Sequence, residues 1–152
     1  MKRKYIICLL CIIVFAIGVM AVLKQTQKEK FQTQHKNILD KPLKPCSLPP
    51  EKTTGYYRDG YCSTGPTDSG THVVCAQVDN EFLQYTKTKG NDLVTPQNSF
   101  PGLVAGDKWC LCALRWREAY NAGNAPKIFP EATSEVATQY VLKNILMNYA
   151  LT

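Results

Sequence analysis

The 152-residue chain contains no Walker loop, no G-x-G-x-x-G, no G-x-S-x-G, no H-E-x-x-H and no Cys-x-x-Cys. Those absences remove the common nucleotide-binding, serine-hydrolase, zinc-protease and paired-thiol signatures. Histidine is scarce: only His35 and His72 are present. His35 sits in a polar stretch, so any Ser-His-Asp or Cys-His site has to use His72. Net charge is also scarce outside the N-terminus. Residues 1–35 carry six basic side chains and one acidic, a net +5, whereas residues 36–152 carry twelve and eleven, a net +1. The overall +6 therefore gives the larger part of the chain no electrostatic footprint for nucleic acid, which is not an expected partner. With 45% hydrophobic residues and no internal repeat, the chain fits one domain of ordinary size. A two-domain enzyme, a collagen-like chain and a wholly disordered one are excluded.

Charge is missing altogether from Ile6 to Leu23. With Tyr5 this stretch spans about 28 Å as a helix, close to the roughly 30 Å hydrocarbon core of a bilayer. Lys2, Arg3 and Lys4 precede it, and the positive-inside rule then predicts a cytoplasmic N-terminus over residues 1–4 and a single-pass signal anchor over 5–23. The membrane is thus the expected partner of this segment, with the domain outside the cytoplasm. The alternative is a secreted protein, cleaved near Ala21, where Val19-Met20-Ala21 offers small residues. Cys8 and Cys11 read as membrane-helix filling. Residues 24–37 contain one Phe and otherwise Gln, Lys, Thr, Glu, His and Asn, with no apolar period, which predicts a polar stalk, and residues 38–152 form the globular domain.

Within that domain, Thr71 to Val78 reads as a buried strand by β-branched composition. Asp79 or Asn80 caps a helix over Glu81 to Lys89 that ends at Gly90. A Pro- and Gly-punctuated loop follows to Gly106. Then come a strand over Lys108 to Ala113, a helix over Leu114 to Asn121, a short strand over Lys127 to Pro130, and a helical region from Thr133 or Ser134 to Ala150. Thr138 to Val141 has poor helix propensity, so this last region is expected to break in two. The pattern predicts an α+β fold, a small mixed sheet with three or four helices and a long polar loop; the alternative is α/β with a short parallel sheet. Trp109, Leu114, Trp116 and Tyr120 read as core. Arg115 and Arg117 flank Trp116, an arrangement that can stack nucleobases, although the near-neutral charge argues against that use.

Two constellations stand out. Arg58 to Thr71 holds Gly, Pro, Ser, Thr or Asp at 11 of 14 positions, and structureless loops of that length tend to be functional. Tyr56, Tyr57 and Tyr61 give it something to pack on. Gly60, Gly65 and Gly70 can turn N–H groups inward as an anion nest, Arg58 can grip a carboxylate or phosphate, and Asp59 or Asp68 can act as base. The competing reading makes Asp59-Gly60 and Asp68-Ser69-Gly70 plain turns, with Arg58 pairing a nearby acid. In the second constellation, Cys110 and Cys112 share one strand face by the period of two and can jointly face a third sulfur or a metal, with Cys46, Cys62 and Cys75 available. His72 and Cys75, three apart, fall on opposite faces of a regular strand. Three readings of the thiols stay open: buried hydrophobes, at most two disulfides with one thiol left over, or a metal or redox cluster. The irregular spacing does not favour a Cys-bound metal such as zinc.

The segments Gly55-Tyr56-Tyr57-Arg58-Asp59-Gly60, Cys62, Thr64-Gly65-Pro66, Asp68, Gly70, His72, Val74-Cys75-Ala76, Gly90-Asn91-Asp92-Leu93, Phe100-Pro101-Gly102-Leu103, Gly106-Asp107, Trp109-Cys110-Leu111-Cys112 and Arg115-Trp116 occur in this order. From about Asn37 to the C-terminus the chain thereby resembles the bacterial domain-of-unknown-function family 2237. Members of that family usually carry a second Cys where Tyr61 stands here, and most lack a membrane segment. The resemblance implies no activity. The residues themselves predict a groove in which Arg58, Asp59, Asp68, His72 and Arg115 bind a small polar or anionic ligand, with Cys62, Cys75, Cys110 and Cys112 forming its wall, a disulfide set or a metal site. A thiolate- or metal-dependent enzyme and an interaction module at the membrane surface are the alternatives.

Overall fold

The structure is a computed structural model that describes residues 2–151, the side chains of residues 2–11, 28, 29 and 31–34 excepted. The chain divides between Gln34 and His35 into two compact units. The first is a single helix, α1 (Lys2–Gln34). It continues through most of the segment read as a polar stalk. Lys, Gln and Glu rank near Ala in helix propensity, so a helix needs no apolar stripe to persist there. Of the expected apolar span, Tyr5 to Cys11 lie outside the residues whose side chains are described. From Ile12 to Leu23 the described apolar stretch covers only about 18 Å, and among the described residues no helix is long and apolar enough to cross a membrane.

The second unit is built from β1 (His72–Gln77), α2 (Asn80–Thr88), β2 (Lys108–Cys112), α3 (Ala113–Asn121), β3 (Lys127–Ile128) and α4 (Lys143–Asn148), with two short 3-10 helices before α4 at Pro130–Ala132 and Glu135–Gln139. The C-terminal region thus breaks where its helix propensity is poor. The sheet has order β2-β1-β3, and both strand pairs are antiparallel. This is an α+β fold, and the expected mixed or parallel sheet gives way to an antiparallel one. The Pro- and Gly-punctuated loop turns the chain back on itself, so that the Gly106 N–H donates to Val78 O at 2.8 Å, the Val78 N–H donates to Asp107 O at 2.9 Å, and β2 returns against β1.

Asp79 caps α2, its carboxylate accepting from the Phe82 N–H at 2.8 Å, and Gly90 ends it at φ +77°. Val74, Ala76, Trp109 and Leu111 alternate on one face of the sheet and pack with Phe82 of α2 and Trp116 of α3 in the main core. Trp116 is fully buried, and its Nε1–H donates to the Pro126 carbonyl at 3.1 Å, so it cannot stack a nucleobase. Leu114, expected in the core, is 46% exposed, because it lies on the outer side of α3 from Trp116. The other face of the sheet carries a separate cluster of Cys46, Cys62, Cys75, Cys110 and Ala132.

A register shift between His72 and Val74 decides what that second face can do. It sets His72 opposite Cys112 while Cys75 stands opposite Cys110. With one extra residue in β1, alternation brings His72, Cys75, Cys110 and Cys112 to the same side of the sheet. The expectation that His72 and Cys75 point apart fails for this reason.

Candidate functional site

The loop leading into β1 is held at many points rather than open. Thr71 has φ +50° and Arg58 φ +55°, left-handed conformations that are costly for residues with a Cβ and persist only when their surroundings fix them. Thr71 is fixed by its N–H to Asp68 O at 3.1 Å, by its carbonyl accepting from Ala113 N at 3.1 Å, and by its hydroxyl 3.3 Å from that of Tyr140. The Tyr56 hydroxyl donates to Thr67 O at 2.8 Å. Gly60 adds no donor to the expected anion nest, and Gly70 leaves room for a ring. Gly60 spends its N–H on Thr54 O at 2.9 Å, and a Cβ at Gly70 would overlap the His72 ring.

Two adjoining cavities run along β2. One, of about 320 Å³, is lined by Tyr56, Arg58, His72, Asp92, Phe100 and Trp109 among others. The second, of about 240 Å³, shares His72, Leu93, Trp109 and Cys110 with it and adds Asn91, Cys112 and Arg115. Together they form one groove between the polar loop and the Cys strand. A larger hollow of about 430 Å³ lies against α1, but its only polar lining side chain is Lys24, so it offers no chemistry.

Arg58 lies over the Trp109 ring, 4.9 Å from the centroid, with one Nη1 hydrogen bond to Gly55 O at 3.3 Å. Among the described residues it pairs with no carboxylate. Arg115 is committed instead: it binds Glu118 at 2.9 Å and donates to Lys89 O at 3.3 Å. Asp59 does not reach the groove, because its carboxylate accepts from the Tyr61 N–H at 3.0 Å and serves as a turn former.

Asp68 is buried beneath His72 rather than in the groove wall. One carboxylate oxygen is 2.6 Å from His72 Nδ1; the other accepts from the His72 backbone N–H at 2.8 Å and the Thr64 hydroxyl at 3.0 Å. Burial alone would raise the Asp68 carboxyl. The hydrogen bonds from the His72 backbone, the His72 ring and Thr64 outweigh it and hold the group below its ordinary value. An ionised Asp68 requires a proton on His72 Nδ1, and in the neutral ring that tautomer presents Nε2 as a hydrogen-bond acceptor. The ring is further fixed by stacking against Tyr56, with centroids 6.0 Å apart.

The five thiols of this unit sort into two disulfides, Cys46–Cys75 and Cys62–Cys110, and the free, half-buried Cys112. Cys62 and Cys75 are therefore not groove residues; Cys110 and Cys112 are. Cys112 lines the groove near His72, but no hydrogen bond joins them among the described residues. The two disulfides adjoin each other: the sulfurs of Cys46, Cys62 and Cys75 all lie within 4.8 Å of one another.

The profile of an uncharacterised protein family conserved in bacteria, DUF2237, matches residues 36–150. The chain belongs to this family. No curated protein matches it. The match covers the whole second unit except its first residue and last two, so both walls of the groove lie inside the DUF2237 domain. Several of the residues facing the groove were not singled out from the sequence as site residues: Tyr56, Asn91, Asp92, Leu93 and Phe100. The signal for four of them was present, since Gly90-Asn91-Asp92-Leu93 and Phe100-Pro101-Gly102-Leu103 are motif segments in an otherwise irregular loop. Asp92 is held well below the ordinary carboxylate range by the Thr95 backbone N–H first, then the Thr95 hydroxyl and Lys87. It therefore stays charged at the rim, paired with Lys87 at 3.0 Å.

Proposed function

We propose that the DUF2237 domain binds a small ligand bearing a carboxylate or phosphate in the groove along β2, with Arg58 as the anion grip. One observation carries this reading: an arginine on the wall of a cavity, its guanidinium carbon 4.9 Å from the Trp109 ring centroid, with no acidic partner among the described residues. An unpaired guanidinium held over an aromatic ring is available for a bidentate anion. Leu93, Phe100 and Trp109 suit an apolar or flat body, and His72 Nε2 adds one acceptor for a ligand hydroxyl or amine. Arg115, tied to Glu118, is a bystander at the far end.

Thermal-shift screening of the chain against mono- and dicarboxylates and phosphate esters tests the reading. A ligand that stabilises the wild type is expected to bind Arg58→Ala roughly 10- to 100-fold more weakly, the worth of one charge-assisted contact, and Arg58→Lys to fall between. Equal shifts in wild type and Arg58→Ala would remove Arg58 from the function.

We further propose that the domain works outside the cytoplasm, delivered by the N-terminal segment 5–23 as an anchor or as a signal cleaved near Ala21. Support comes from the two disulfides, which persist in oxidising compartments and are rare where glutathione keeps thiols reduced. Trapping thiols in lysates with a maleimide of known mass is expected to add one label to the second unit when disulfides are left intact. Five labels would mean a reduced, cytoplasmic domain.

A further inference from the structure

Four of the five thiols of the second unit are arranged in a way that neither disulfide requires. Cys46 comes from the irregular segment that precedes the polar loop, Cys62 from the polar loop, Cys75 from β1 and Cys110 from β2, and all four are buried. Three of their sulfurs lie within 4.8 Å of one another, and the fourth, that of Cys110, is bonded to one of those three. A tetrahedral zinc–thiolate site has Zn–S distances of about 2.3 Å, which sets its sulfurs roughly 3.8 Å apart. Four sulfurs collected in one buried cluster meet that requirement with small side-chain movements.

We propose that the reduced DUF2237 domain binds one thiophilic divalent cation, Zn2+, through Cys46, Cys62, Cys75 and Cys110, so that metal and disulfides are alternative occupants of the same cluster. The donor set fits a soft cation, being four sulfurs with no carboxylate or imidazole among them. The supporting frame does not depend on the disulfides: β1 and β2 pair Cys75 with Cys110 in register, and the Cys46 N–H donates to Gly60 O at 2.8 Å, two residues from Cys62. The Cys75 and Cys110 N–H groups are held by the hydroxyls of Thr133 at 3.1 Å and Thr54 at 2.8 Å. Access exists from two sides. A hollow of about 280 Å³ that includes Pro45, Ser47, Leu48 and Lys108 reaches Cys46, and the groove reaches Cys110.

In the newly made chain the four thiols are already reduced, and Zn2+ binding displaces their four protons to solvent. From the oxidised state, two equivalents of a dithiol reductant open the two disulfides, each becoming a disulfide as it delivers two electrons and two protons. Cys112 takes no part.

Cobalt titration of the full chain tests this, with the chain reduced by a phosphine under anaerobic conditions. Reduced wild type is expected to take up one Co2+ with thiolate charge-transfer and tetrahedral visible bands, to lose them to one equivalent of Zn2+, and to gain ordered secondary structure on loading. The chain with both disulfides intact is expected to bind none. Cys112→Ser is expected to behave as wild type, while Cys46→Ser and Cys75→Ser bind Co2+ more than about tenfold more weakly, since losing a ligand costs no less than losing an outer-shell support. Reduced wild type without tetrahedral thiolate bands would overturn the proposal, as would a Cys112→Ser loss equal to that of Cys46→Ser. Failure here leaves the Arg58 reading untouched, because that reading concerns the oxidised domain.

Discussion

Replacing Cys62 and Cys110 together by Ala is expected to lower the unfolding free energy by about 4 kcal/mol. The bridge spans 48 residues, and the chain-entropy model gives roughly that value for closing such a loop in the unfolded ensemble. Cys46–Cys75 spans 29 residues and is worth roughly 3.6 kcal/mol on the same basis. The two loops interlock, since Cys62 lies between Cys46 and Cys75, so removing both is expected to cost less than the sum. Against a typical domain stability of about 5–15 kcal/mol, either loss is a large fraction. Urea denaturation checks it. The double variant is expected to show a lower midpoint and a steeper slope, because an uncrosslinked chain exposes more surface on unfolding. Cys112→Ala, which breaks no bridge, is the control. If the double variant and the control lie within about 1 kcal/mol of each other, the bridge is not what holds the polar loop on β2.

Much of the fold was legible because local signals agreed with tertiary demands. The β-branched run at 72–77, the Asp79 cap and Gly90 stop of α2, and the weak helix propensity at 138–141 each produced the element expected. Strand direction depends on where the chain goes next, which composition does not record: the loop before β2 reverses the chain. Thiol pairing was illegible for a related reason. Cys46 and Cys62 lie in segments without regular structure, so no period relates them to the strand cysteines, and only the closed fold sets four sulfurs together.

The site was legible at Arg58 and His72, whose residue types suggest chemistry and whose loop is too polar to be core. It was illegible where a single inserted residue changed faces: the register shift at His72 to Val74 cannot be read from alternation, yet it turns His72 toward Cys112. Asp59 and Asp68 looked equivalent in sequence, each followed closely by a glycine. Burial separates them. Asp59 satisfies its own turn, whereas Asp68 is covered and accepts three hydrogen bonds.

That difference makes Asp68→Asn the most informative change in the site. The Asn amide can sit in this place only one way. Its oxygen must take the His72 backbone N–H, which cannot switch roles, so its NH2 faces His72 Nδ1. Nδ1 then has to accept, and the ring proton moves to Nε2. The variant is expected to lose about 2 kcal/mol, since hydrogen bonds to a charged group are worth about 1.5–3 kcal/mol, or roughly 8 °C in Tm at ~4 °C per kcal/mol. It also turns the groove-facing nitrogen from acceptor to donor, so ligands that give a hydrogen bond there are expected to weaken while the Arg58 contact persists. The pH dependence has a definite sign. The Asp68 carboxyl is depressed in the fold, so the unfolded chain takes up its proton first as pH falls. Its stabilising contribution is complete above the unfolded value of about 3.9 and disappears as pH drops through the lower folded value. The Asp68 contribution to the difference between wild type and Asp68→Asn is therefore expected to disappear in strong acid, with Asp92 common to both and cancelling in the comparison. Denaturation midpoints between pH 2 and pH 7, with 15N spectra of the His72 ring, report both effects. A stability gap that stays constant to pH 2, or a ring tautomer unchanged by the substitution, would show that Asp68 does not set the state of His72.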